Sequence, residues 1–112
     1  MKKLFVSCPM NGRNKNNIEQ SIKTMHKEAE NIFGEKLLLI QTYIEDDAPH
    51  DVNPGLWYLS KSIEKMSEAD YFIGCSNLEF SGCELENQAA IAYGIPHKFI
   101  NCRDFICFAD IK

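Results

Sequence analysis

Short apolar runs alternate with stretches of helical periodicity along this chain, the pattern expected of a parallel sheet joined by crossover helices. Leu4-Phe5-Val6 is apolar on consecutive residues, as a strand covered on both faces would be, and Cys8-Pro9-Met10-Asn11-Gly12 breaks it. Ile18, Ile22, Met25, Ala29 and Ile32 then step by fours and threes and predict a first helix. Asn16 and Glu19 are spaced as a capping box at its start, and Gly34 suits its C-terminal cap. Leu37 to Ile40 is the second predicted strand. The polar, turn-rich stretch from Glu45 to Gly55 is the longest predicted loop.

Asn53 followed by Pro54 is the expected order for opening a helix, here with Leu56, Leu59, Ile63 and Met66 facing inward. Tyr71-Phe72-Ile73 is the third strand. Ser81 and Glu84 have capping-box spacing before a third helix, which would carry Leu85, Ala89 and Ala92 toward the sheet and end at Gly94 and Pro96. Lys98-Phe99-Ile100 is a fourth strand, and Phe105 to Phe108 a short fifth. Right-handed crossovers make this a single α/β domain over residues 1–112, a three-layer α/β/α sandwich with the first and third strands central.

Composition narrows the function classes. Hydrophobic residues are 45% and charged residues 25% of 112, a globular balance. Twelve Lys plus Arg against sixteen Asp plus Glu give a net charge of -4, which argues against a polymeric nucleic-acid partner and leaves a single small anion open. No apolar stretch approaches the ~20 residues of a membrane span, and the run after Met1-Lys2-Lys3 stops at Ser7, too early for an export signal. Five cysteines without framework spacing suit a reducing compartment, so a cytoplasmic location is expected. The chain has no C-x-x-C pair, and His26, His50 and His97 do not fall at ligand spacings; no metal or cofactor is expected.

In such a sheet the loops after the strands share one rim, where ligands bind. Three segments meet there: Ser7 to Gly12, Cys75 to Gly82, and the start of the third helix. The first is a strand, a tight turn at Gly12 and a helix N-terminus, whose backbone amides suit an anion or simply make a strand-to-helix turn. Glu86 lies early in the third helix, one residue past Leu85, at the expected edge of the buried face. An ionised carboxylate there can attack or stabilise an electron-poor sugar carbon, or it can be only a favourable charge near a helix start. Glu84 has the capping role, and Asp70 opens the third strand. Trp57 and Tyr58, beside the long loop, either stack on a base or cover the edge of the core. The cysteines read mostly as small apolar residues.

The segments K-L-F-V-S-C-P-M-N-G, N-P-G-L-W-Y-L-S-K-S, E-A-D-Y-F and G-C-E-L-E-N-Q-A-A-I-A-Y-G-I-P together resemble the nucleoside 2-deoxyribosyltransferase-like superfamily, and more closely its small phage and bacterial branch that opens S-x-P-M-N-G. The resemblance runs from Lys3 to about Ile100. It implies a flavodoxin-like parallel sheet of order 2-1-3-4-5, a homo-oligomer whose subunits complete each other's sites, and a nucleoside or nucleotide ligand. Gly82, Glu86, Ala90 and Gly94 fall on the family's helix motif, with Glu86 at the nucleophile. Gly12 and its neighbours Ser7, Pro9, Met10 and Asn11 fall where related hydrolases hold a 5′-phosphate, and Trp57, Ser62, Ser81 and Gly82 complete the expected ligand-binding set. The transferases keep aspartates at the positions of Ser62 and Phe80, one of which handles protonation of the base. Two expectations follow: an N-glycosidase or transferase with Glu86 as nucleophile, or a nucleotide-binding protein on the same fold that does not turn its ligand over.

Overall fold

A computed structural model describes residues 1–9, 13–42, 44, 46–76 and 81–101, with Ser81 and Gly82 described in their backbone only. The elements run β1 (Lys2–Val6), α1 (Lys15–Phe33), β2 (Leu37–Leu39), α2 (Pro54–Met66), β3 (Tyr71–Cys75), α3 (Ser81–Ala92) and β4 (His97–Ile100). Every pairing is parallel and the order is β2-β1-β3-β4, so β1 and β3 are central, an arrangement compatible with a flavodoxin-like sheet. The expected fifth strand, Phe105 to Phe108, lies outside the described residues.

Alternation along the central strands splits the core in two. Leu4 and Val6 of β1 and Ile73 and Cys75 of β3 pack with Ile18, Ile22, Met25 and Ala29 of α1. Phe5 and Phe72, the residues between, pack with Met66 of α2 and Ala90 of α3. Their rings stack with centroids 5.6 Å apart and are essentially dry. Burying each such side chain stabilises the fold by about 1.5–3 kcal/mol.

Local chemistry sets the ends of the elements. Asn53 caps α2, accepting the Leu56 amide at 3.1 Å, with Pro54 in the first turn. Gly34 ends α1 at φ 74, a left-handed conformation that favours glycine, and its N–H donates to Glu30 O. Asp70 opens β3 by accepting the Lys3 amide at 2.8 Å while its own N–H donates to Lys3 O. The cap of α1 is Asn14, accepting from the Asn17 amide at 2.9 Å, not Asn16: the helix starts as soon as the turn after β1 allows. Ile32 is exposed, and Phe33 reaches the core in its place, stacked 4.3 Å from the Tyr71 ring.

The other two helices depart further from expectation. In α2 only Met66 is buried, while Leu56 and Ile63 are exposed. In α3 the buried residues are Cys83, Glu86, Asn87 and Ala90; Leu85 is 52% exposed, Ala92 is exposed, and Ala89 is half-buried. The helix is therefore rotated from the orientation that its most apolar stripe suggests. Among the described residues no helix is long and apolar enough to cross a membrane.

Candidate active site at the end of the central strands

Ser7 follows β1 directly. Its N–H donates to Ile73 O at 2.9 Å, extending the β1–β3 ladder by one step and setting Ser7 beside Gly74. With the side-chain period of a strand, Ser7 and Gly74 share the face of Phe5 and Phe72, toward α3. Gly74 is the reason α3 can come close. A Cβ there would stand 2.2 Å from Asn87 Oδ1 and 2.7 Å from Phe72 Cε1. Asn87 Nδ2 donates to the Cys75 carbonyl at 2.6 Å, fixing the helix to the last residue of β3, while Asn87 Oδ1 is buried with no partner.

Anchored this way, α3 turns Glu86 inward. Glu86 is 8% exposed, and the Ser7 hydroxyl donates to its Oε1 at 2.6 Å. It thus sits within the buried face and not, as its neighbour Leu85 suggested, at its margin. Burial pushes its carboxyl above the ordinary glutamate range, and hydrogen bonds from Ser7 and then Ser62 of α2 draw it partly back. Three elements, β1, α2 and α3, thus address one carboxyl. The Cys83 thiol, one turn earlier on α3, is pushed up to about 12 by burial, partly offset by the nearby Ser7 hydroxyl, so it stays protonated near neutrality.

Arg13 organises the other side of the turn. Its guanidinium donates to Pro9 O at 2.9 Å, to Asn17 O at 3.1 Å and to the Ser21 hydroxyl, and lies 3.5 Å from Cys8 Sγ. This planar fork ties the segment after β1 to the first turns of α1. Burial raises the Cys8 thiol to about 11 despite the nearby Arg13 charge. Cys8 and Cys83 are buried and free, as small apolar residues would be, whereas Cys75 is disulfide-bonded.

Of the expected site residues, the structure brings Ser7, Ser62 and Glu86 together. Pro9 is buried, with its carbonyl engaged by Arg13. Trp57 is half-buried, edge-on to Tyr58 with centroids 5.0 Å apart and with the Lys61 ammonium 5.5 Å above its ring. Met10, Asn11, Gly12 and Phe80 lie outside the described residues, as does the side chain of Ser81. Sequence reasoning did not single out Arg13 or Asn87. Asn87 had no readable local signal, because the Cys75 carbonyl that it binds and the Gly74 that makes room for it are remote in sequence. An open groove of about 340 Å³ between α2 and α3, lined by Ile63, Met66, Ala89, Tyr93 and Ile95 among others, does not include Glu86.

The chemistry available is that of one desolvated carboxyl held by hydroxyl donors at the C-terminal ends of β1 and β3. These are the adjacent strands from which the chain departs in opposite directions, β1 to β2 and β3 to β4, and the crevice at such a switch point is where open α/β sheets bind ligands. No family model matches the chain, and no curated protein or solved structure matches it either.

Proposed function

We propose that the chain is an N-glycosidase or glycosyl transferase acting on a nucleoside or nucleotide, with Glu86 as nucleophile on a three-layer flavodoxin-like sandwich. The observation that carries this reading is the placement of Glu86: a buried carboxyl at the switch point, oriented by Ser7 and approached by Ser62. An Oε atom of the ionised carboxylate bonds to the anomeric carbon as the C1′–N bond breaks. The base leaves with the bonding electron pair and takes a proton from water. Water or a second base then displaces the glutamyl ester, restoring the carboxylate. The segment Pro9 to Gly12, with Ser81 and Gly82, would hold the phosphate or sugar end, and Trp57 would line the base side. The sequence resemblance to the nucleoside 2-deoxyribosyltransferase-like superfamily supports the same reading and adds a homo-oligomer, and the cysteine usage adds a cytoplasmic location.

The second reading, a protein that binds a nucleotide without cleaving it, draws on a different observation: burial favours the neutral form of Glu86, which is a poor nucleophile. Incubation with a panel of deoxynucleosides and nucleotides, followed by chromatography for free base, separates the two. Base release that disappears in Glu86→Gln supports the enzyme. Saturable binding without release supports the binding protein. No release and no thermal shift with any of the panel defeats both.

A further inference from the structure

Resting on Glu86 as nucleophile, we propose that Ser7 is a positioning residue that holds the Glu86 carboxylate, through Oε1, in the orientation from which it bonds to the sugar. Ser7 is 1% exposed, and its hydroxyl lies 2.6 Å from Oε1, so it serves the carboxyl and not the ligand directly. Its backbone is fixed by the Ile73 carbonyl, within the most central strand pair of the sheet. A serine hydroxyl has one proton to give. That proton goes to Glu86. A charge-assisted hydrogen bond from so fixed a donor favours the ionised carboxylate and limits its rotation, with Ser62 of α2 as a second donor. The geometry also separates Ser7 from the turn that follows: the hydroxyl faces α3, while Cys8 lies in the cluster on the α1 side.

The test follows the Glu86 carboxyl carbon by ¹³C NMR titration in the wild type, Ser7→Ala and Ser7→Thr, alongside base release. Loss of the donor moves the Glu86 midpoint to higher pH in Ser7→Ala, and Ser7→Thr, which keeps a hydroxyl, restores it. In turnover, Ser7→Ala lowers kcat by roughly ten- to a hundredfold with KM little changed, since a hydrogen bond to a charged group is lost. The acid limb of its pH–rate profile moves upward with the NMR midpoint. An unchanged midpoint in Ser7→Ala overturns the proposal whether or not base is released; absent base release in the wild type sinks only the functional reading. If Ser7→Ala gives no cooperative unfolding transition, the wild-type hydroxyl proton decides. A slowly exchanging Ser7 resonance that titrates with Glu86 supports the proposal, and exchange at the bulk-water rate overturns it.

Discussion

Gly74→Ala is the sharpest probe of how α3 is held. The added methyl would stand 2.2 Å from Asn87 Oδ1 and 2.7 Å from Phe72 Cε1, both closer than real Cβ contacts. Neither neighbour yields freely: Phe72 is stacked on Phe5 in the core, and Asn87 is held at 2.6 Å to the Cys75 carbonyl. Overpacking at such a site costs about 1–3 kcal/mol. If Asn87 swings aside, the buried Cys75 carbonyl loses its donor, a further ~1–3 kcal/mol. The expected loss is therefore roughly 2–6 kcal/mol, equivalent to a fall in Tm on the order of 10–25 °C for a chain of this size. Urea unfolding followed by circular dichroism measures it, and a double-mutant cycle with Asn87→Ala locates it. Asn87→Ala removes the closer obstacle, so Gly74→Ala should cost at least about 1 kcal/mol less in that background than in the wild type. Equal costs in the two backgrounds would refute the close approach of α3 at Gly74.

Three further outcomes are expected. Glu86→Gln should raise Tm at neutral pH while abolishing base release; the wild-type carboxyl has a raised folded-state pKa, so its destabilising effect is absent below the ordinary value of 4.5 and grows as pH rises toward the folded value, and the advantage of the glutamine should vanish in acid. On α3, Leu85→Gln should change stability by less than about 0.5 kcal/mol, whereas Ala90→Val should cost about 1–3 kcal/mol by overpacking, and chemical denaturation showing the reverse order would sink the observed rotation of the helix. Asn53→Ala should lose about 1 kcal/mol through the missing cap on the Leu56 amide, read as a lower urea midpoint at constant slope.

How much was legible in the sequence depended on how local each determinant is. The Asn53-Pro54 opening, the Gly34 cap and the consecutive apolar residues of β1 and β3 act within a few residues of themselves, and these expectations match the fold. The rotation of α3 did not announce itself, because Leu85, Ala89 and Ala92 offer as good a helical stripe as Cys83, Glu86 and Ala90. The choice between them is made by Gly74 and Ser7, which lie on other strands. The same is true of α2, where Leu56 and Ile63 follow the periodicity yet remain exposed. Glu86 was legible as a candidate, but its burial was not, since nothing near it in sequence says that two hydroxyls will meet it. Arg13 was silent for a similar reason: two of its acceptors are backbone carbonyls, which no sequence displays.

The Ser7–Glu86 bond joins residues 79 positions apart. The strands that bring them together are not neighbours in the chain, and a parallel pairing between β1 and β3 closes a long loop before any contact rewards it. Desolvation of the carboxyl therefore requires both halves of the polypeptide to have docked. A molecule that has not made this closure carries its glutamate in water, at an ordinary acidity.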